Sequence, residues 1–264
     1  MAKELSFALY AIKKNIQSSA ELRTSFLMNI FGMAINNISF IILWMFFVKS
    51  VGVIGGWQAA DIIGLQGFIC LGFGIIFSAG GGIRKLADYT SSGAFDRFML
   101  SPKNLLLRVA TSSFGVSAVG DIVFGILCLI VYAFLIHAGI YQILLIILLT
   151  IISMFVFLAA AIIIYSMSFY FIDATSVTTA LFELFVTPAI FHGGAFQGVL
   201  RFVFTFAIPS LLIGTIPVEL VRNFSLNKIL LLVILTIFWC IVSLKIFKRA
   251  IKNYESSNFM TFGN

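Results

Sequence analysis

Two acids and two amides interrupt the apolar runs of this sequence, and these four residues are the best placed to do chemistry. Asn36 and Asn37 lie near the middle of one run, Asp121 lies well inside another, and Glu183 lies inside a third. A charged group at the centre of a bilayer costs between about 2.5 and 17 kcal/mol, so it usually marks a pathway or a paired interior site. We therefore predict that these residues form a translocation surface or polar contacts between helices. For the two asparagines, hydrogen bonding between helices is the favoured interpretation.

Other chemistry has little support in the sequence. The two histidines, His137 and His192, fall near the ends of apolar runs, where an anchoring role is more common than metal binding. The three cysteines lie inside apolar runs, which is typical of small buried hydrophobic residues. The chain has no Gly-Lys dipeptide and therefore no Walker A loop, and it contains no H-E-x-x-H, C-x-x-C or G-x-S-x-G motif. We predict no catalytic residues, no metal site and no cofactor bound by this chain.

Composition indicates that the chain lies in lipid. Of its 264 residues, 61% are hydrophobic and only 10% are charged, whereas roughly a quarter of the residues in a soluble domain are charged. The mean hydropathy is +1.12. The net charge of +7 could suggest a nucleic-acid partner. However, the basic residues cluster at the ends of apolar runs, as membrane topology signals do, so we expect membrane lipid and no nucleic acid.

Six segments are predicted to cross the membrane, because a spanning helix needs about 20 predominantly apolar residues. They are residues 24–48, 62–82, 109–136, 143–171, 176–192 and 229–246. Ahead of them, Leu5, Leu9, Ile12 and Ile16 recur at helical spacing, so residues 1–23 are predicted to form an amphipathic helix in the membrane interface. The predicted fold class is an all-α polytopic membrane protein with one transmembrane domain over residues 1–264.

The basic clusters decide whether the number of spans is odd or even. If the amino terminus is cytoplasmic, the basic residues of segment 83–108 are cytoplasmic too. The carboxy-terminal cluster from Lys245 to Lys252 joins them only if the number of spans is even. We therefore predict a protein of the plasma membrane with six spans and with both termini in the cytoplasm.

An even number of spans requires one of two apolar runs, Val177–Phe191 and Phe202–Val218, to enter the membrane without crossing it. We assign residues 195–218, which contain Pro209 and Pro217, to a re-entrant helical hairpin before the last span. Such a hairpin needs cover from protein or a wet cavity. Gly193, Gly194 and Gly198 allow the tight turns that it needs.

The longest polar interruption, residues 83–108, contains the stretch GAFDRFMLSP. Ser92 or Gly93 could cap a short helix there, two aromatic residues and a methionine would give it an apolar face, and a proline would end it. These apolar side chains have no evident core to fill other than the membrane interface or a groove in a partner. An ordinary interfacial loop and a docking helix both fit. The candidate coupling residues are Gly93, Phe95, Asp96, Arg97, Phe98, Met99 and Pro102.

This stretch resembles the cytoplasmic segment after the second span in permeases of ABC type-2 exporters, which reads roughly G-x-[LF]-D-x-x-L-x-x-P. Met99 stands where leucine is usual. The resemblance covers the whole chain. The amphipathic amino terminus, the proline-bearing FAIPSLLIGTIPVELV (residues 206–221) and the tail NYESSNF are also similar to features of that family.

The resemblance implies a permease that pairs with a second permease, of the same or a related chain, and docks separate ABC ATPase subunits at residues 93–102. ATP and Mg would be bound by the ATPase, and substrate would leave through the interface between permeases. The apolar interior favours an amphipathic drug, lipid or peptide as substrate over a sugar. The alternative is a stand-alone secondary transporter, coupled to ions, or a channel that uses Asp121 and Glu183.

Overall fold

The computed structural model describes residues 2–21, 23–51, 56–100, 102–171 and 174–254, and every regular element in these ranges is a helix. The α-helices are α1 (Ala2–Glu21), α2 (Arg23–Val51), α3 (Ala59–Ala79), α4 (Leu86–Ser91), α5 (Asp96–Met99), α6 (Leu105–Ala110), α7 (Val116–Leu135), α8 (Ile140–Ser166), α9 (Ala174–Ile190), α10 (Gly198–Phe202), α11 (Thr215–Arg222) and α12 (Leu226–Ala250). Short 3-10 helices cover Gly81–Ile83, Met167–Phe169, Gly193–Ala195 and Ile251–Asn253, and a π-helix covers Val203–Ala207. The predicted all-α class is confirmed.

Five helices of the described chain are long and apolar enough to cross a membrane. These spans are Arg23–Phe46, Ala59–Ala79, Val116–Leu135, Ile140–Phe169 and Leu226–Asn253, and they coincide with five of the six predicted crossing segments. Segment 109–136 begins earlier than its helix, because α6 ends at Ala110 and a turn separates it from α7. The remaining predicted segment, 176–192, forms the shorter apolar helix α9, which has 17 residues.

Helices α3 and α7 pack closely against each other, and glycines bring their backbones together. A Cβ atom added at Gly74 would lie 2.7 Å from the amide nitrogen of Ile122, and one added at Gly125 would lie 2.5 Å from that of Leu71. Small residues at such contacts stabilise membrane helices, because van der Waals packing rather than the hydrophobic effect drives their association.

We predict that Gly125→Ala lowers the stability of the bundle, because the added methyl group would meet the α3 backbone and force the two helices apart. Overpacking of this kind costs about 1–3 kcal/mol. Thermal unfolding of the purified protein in detergent measures the change. Gly139→Ala is the matched control, since a Cβ atom at Gly139 would have no heavy atom within 4 Å. Equal unfolding temperatures for the two variants would contradict this packing.

Contacts at the termini of α3 and α8 define two ends of the bundle. At one end, named here the α11 end, the Asp61 carboxylate at the start of α3 lies 3.0 Å from the Arg222 guanidinium. There too, Gln142 at the start of α8 donates a hydrogen bond of 3.4 Å to the carbonyl of Val221. At the opposite end, named the α5 end, Phe169 follows α8 and packs against Phe95 with ring centroids 5.0 Å apart.

Residues 198–222 begin and finish at the α11 end. Arg201 near their start forms a salt bridge of 2.6 Å with Glu219 near their finish. Between these points the chain reaches the middle of α8, where the Ser153 hydroxyl donates a hydrogen bond of 2.6 Å to the carbonyl of Ile213. Pro209, which is buried in the turn after the π-helix, and Pro217, in the first turn of α11, lie within this excursion.

Helix α9 connects the two ends of the bundle. Thr175 in its first turn donates a hydrogen bond of 3.3 Å to the Asp88 carboxylate on α4. Beyond its last turn, His192 packs against Trp57, which precedes α3, with ring centroids 6.2 Å apart. Burial lowers the pKa of the His192 imidazole below its ordinary value.

Helix α1 packs on the loop between α5 and α6 at the α5 end. The Lys103 ammonium lies 3.8 Å from the centroid of the Phe7 ring. The backbone N–H of Asn104 donates to the Glu4 carboxylate over 3.3 Å, and Asn15 donates to the carbonyl of Thr111 over 2.8 Å. Leu9 on the predicted apolar stripe of α1 is exposed, whereas the side chain of Leu5 lies outside the described residues.

Candidate coupling surface and transmembrane cleft

Gly93 makes the turn that places α5 beneath the bundle. Its φ of +72° lies in the left-handed region, which glycine adopts without the steric cost that other residues carry. The N–H of Phe95 then donates 2.9 Å back to the carbonyl of Tyr89, closing the turn. The residue before α5 is Phe95, which is itself helical, so Ser92 and Gly93 do not cap this helix as the sequence suggested.

The aromatic side chains of α5 are buried in the protein's own core. Phe95 has no exposed surface, and its ring centroid lies 4.8 Å from that of Tyr254 and 6.2 Å from that of Phe98. Phe98 is 6% exposed. The expectation that these rings lack a core of their own is therefore wrong. Phe169 and Tyr254, from distant parts of the chain, pack on Phe95, and Tyr89 packs on Phe98.

Two arginines hold Phe98 and the carbonyl end of α5. The Arg97 guanidinium lies 4.9 Å from the centroid of the Phe98 ring, and the Arg108 guanidinium lies 5.7 Å from it. Arg108 also donates hydrogen bonds to the carbonyls of Phe98 and Arg97. A cation at this position is stabilised by the negative carboxy-terminal end of the helix. It also donates to carbonyls that have no partner within the helix. Arg108 is a supporting residue that the sequence motif did not identify.

Asp96 is bonded within the chain. Its carboxylate accepts a hydrogen bond of 2.8 Å from the hydroxyl of Tyr254, which lies 158 residues further along the chain. This bond ties α5 to the segment that follows α12. The sequence placed Asp96 in the first turn of a helix, and α5 begins at this residue.

Apolar side chains are exposed at the carboxy-terminal end of α5. Met99 is 51% exposed and Leu100 is 87% exposed. We name these two residues the knob. Arg97, Pro102 and Lys103 are exposed beside it. Leu100 was missed by the sequence pattern, because it does not fall on the face formed by Phe95, Phe98 and Met99.

A polar cleft lies between the helices that carry the predicted intramembrane residues. Asn37 on α2 donates a hydrogen bond of 2.7 Å to the Asp121 carboxylate on α7. The cleft has a volume of about 220 Å³. Its lining residues are Met33, Asn36, Asn37, Phe40, Gln66, Ile69, Cys70, Phe73, Asp121, Val186 and Ile190.

Glu183 stands apart from this group. It is exposed on α9 and is not among the lining residues, although Val186, three positions further on, is one of them. Residues three apart lie on the same side of a helix, so Glu183 lies one turn beyond the cleft on α9, towards the α5 end. Among the described residues, no group of three or more histidines, cysteines or acids could hold a metal ion.

Most of this chain matches one known family of membrane proteins. A family model described as ABC-2 family transporter protein matches residues 23–258. The chain belongs to the ABC-2 transporter family. The resemblance seen in the sequence is thereby confirmed at the level of the family, and the protein is an ABC type-2 permease. No curated protein and no solved structure gives a significant match.

Membership of the ABC-2 family establishes the general role of the chain. It is a multi-pass membrane component of a transporter. Permeases of this family generally lack an ATPase site of their own and typically work with ABC ATPase partners.

Proposed function

We propose that this ABC-2 permease is the membrane subunit of an ATP-driven exporter and that it docks a separate ATPase at its knob. The observation that carries the proposal is the contrast between neighbouring side chains at α5. Phe95 and Phe98 are buried, whereas Met99 at the end of α5 and Leu100 directly after it are exposed. Exposed apolar side chains on a fixed scaffold are typical of residues that enter a groove in a partner.

The contacts around α5 give the knob a route to the spanning helices. Phe95 packs on Phe169 at the end of α8, and the hydrogen bond between Asp96 and Tyr254 reaches the segment after α12. Asp88 on the neighbouring α4 accepts a hydrogen bond from Thr175 on α9. Binding of ATP and Mg would close two ATPase subunits on each other. The resulting displacement of the knob would then move α8, α9 and α12 together.

A second permease is proposed to cover α2. This helix is the least buried of the five candidate spans, and Asn36 in its middle is exposed. A polar side chain in the middle of a span is stabilised by a neighbouring helix or a wet cavity rather than by lipid. An amphipathic substrate such as a drug, a lipid or a peptide would leave through the interface that α2 shares with the second permease.

We further propose six spans, with α9 as the fifth of them. It runs from α4 to the start of α3, and its 17 residues are within the range of about 17–25 that suffices for a spanning helix. Residues 198–222 then form the re-entrant hairpin, because both of its arms meet at the Arg201–Glu219 salt bridge. On this arrangement both termini are cytoplasmic, and α1 lies in the inner membrane interface.

The topology predicts opposite labelling of two sites on either side of α12. Asn223→Cys should react with a membrane-impermeant maleimide added to intact cells, and Asn253→Cys should react only after the cells are opened. Both asparagines are exposed on the chain, so access is not limited by packing. Labelling of residue 253 from outside would contradict the even number of spans.

The ATP-driven proposal has a direct functional test. The tagged permease, purified from cells that also produce its ATPase, should retain that subunit, and inverted vesicles should take up the substrate when ATP is supplied. The alternative, an ion-coupled transporter, has less support, because Glu183 does not line the cleft that contains Asp121 and the two acids therefore do not share one site. Uptake that needs a proton gradient and proceeds without the ATPase would replace our proposal with that alternative.

A further inference from the structure

The cleft between α2, α3, α7 and α9 contains buried polar atoms whose hydrogen-bonding capacity is not used. Asp121 is 2% exposed and Gln66 is 4% exposed. Asn37 occupies one carboxylate oxygen of Asp121. The other oxygen, Oδ2, and the Nε2 of Gln66 make no hydrogen bond to any residue that the structure describes. Leaving a buried polar atom without a partner is costly, so these two atoms point to a ligand.

The walls of the cleft suit a positive charge. Phe40 and Phe73 line it together with Met33. Aromatic rings attract cations through their negative faces. Arg84, the cation that approaches from the α5 end, lies over the rings of Phe73, Phe77 and Phe182. Its charge acts on the Asp121 carboxylate, but the two groups form no direct salt bridge within the described part of the chain.

We propose that this cleft recognises the positively charged end of an amphipathic substrate, with Asp121 as its counter-ion. A protonated amine would donate to Oδ2 of Asp121 and rest against Phe40, and an acceptor further along the molecule would take the free N–H of Gln66. The inference rests on the export function proposed above and narrows its substrate to amphiphiles that carry an ammonium group.

Binding of an amine probe to the permease alone tests this proposal. The probe is radiolabelled 4-phenylbutylammonium, and the protein is the full chain purified without ATPase in lipid nanodiscs. We expect Asp121→Asn to weaken binding by about tenfold or more, because the hydrogen bond to a charged group is lost. Asp121→Glu, which keeps the carboxylate, should retain most of the binding. The control Glu21→Gln removes an equal charge from α1 and should bind the probe as the unaltered protein does.

A second measurement needs no variant and therefore does not depend on the folding of Asp121→Asn. The uncharged 4-phenylbutanol should compete for the cleft at least about tenfold more weakly than unlabelled 4-phenylbutylammonium. Equal competition by the alcohol, or full binding by a folded Asp121→Asn variant, would overturn the proposal. Neither result depends on the ATPase, so a failure here leaves the exporter proposal standing. If the permease retained no ATPase, the exporter proposal would be overturned, but binding of the probe would be unaffected.

Discussion

Replacing Met99 and Leu100 with aspartate should release the ATPase while the permease remains folded. These side chains are exposed at the tip of α5, so their loss leaves no cavity in the bundle. In a partner's groove, each would be a large apolar anchor, and truncating such an anchor typically costs about 2 kcal/mol or more. Two carboxylates would add the cost of burying charge against apolar surface. The amount of ATPase that remains on the tagged permease measures the effect.

The control for this double variant is Phe224→Asp, which places a carboxylate at an equally exposed apolar position before α12, at the α11 end. On the proposed topology this position faces the outside, so the ATPase should stay bound. Thermal unfolding should be unchanged in both proteins. If the double variant keeps its ATPase and exports at the normal rate, the knob is only an exposed part of an interfacial loop.

The second large effect is expected for Phe95→Ala, through stability rather than docking. Phe95 is fully buried among Phe98, Phe169 and Tyr254. Removing a phenylalanine side chain from a packed core typically costs about 3–5 kcal/mol of stability, because its contacts are lost and a cavity remains. The variant should unfold at a lower temperature, and α5 should lose its attachment to α8. The unfolding temperature in detergent is the measurement.

Phe134→Ala provides the comparison for Phe95→Ala. It removes the same atoms from a ring that is 77% exposed near the end of α7. Its unfolding temperature should stay close to that of the unaltered protein. If Phe95→Ala unfolds no earlier than Phe134→Ala, the rigid attachment of α5 to the bundle is wrong.

Features that depend on residues close together in the sequence could be predicted from it. Gly93 and Pro102 mark the turns around α5 through their own backbone preferences. Asn37 and Asp121 stood out because polar groups are costly inside apolar runs, and the structure joins them by a hydrogen bond. The five long spans follow from run length alone.

Contacts between residues that lie far apart in the sequence could not be predicted from it. Phe95 and Phe98 looked exposed because their neighbours in sequence are polar. Phe95 is nevertheless covered by Phe169 and by Tyr254, which also bonds Asp96, and Phe98 packs against Phe95 and Tyr89. Helical spacing then directed attention to these buried rings and away from Leu100.

The two apolar runs after residue 176 have similar composition, so hydropathy could not distinguish a crossing helix from a returning one. The distinction depends on partners elsewhere in the fold. Ser153 meets Ile213 in the middle of α8, and Arg201 meets Glu219 at the α11 end. The polar cleft likewise depends on α9, whose Val186 and Ile190 close one of its walls.

Cross-linking from the knob tests the proposed docking most directly. A photoreactive benzoylphenylalanine introduced in place of Leu100 should, on illumination of membranes that contain both subunits, form a covalent adduct with the ATPase. The same group in place of Phe224 should form none. An adduct at position 100 that contains the ATPase is the result that we predict. Export driven by ATP in membranes where position 100 cross-links only to lipid would contradict the assignment of Met99 and Leu100 as the coupling contact.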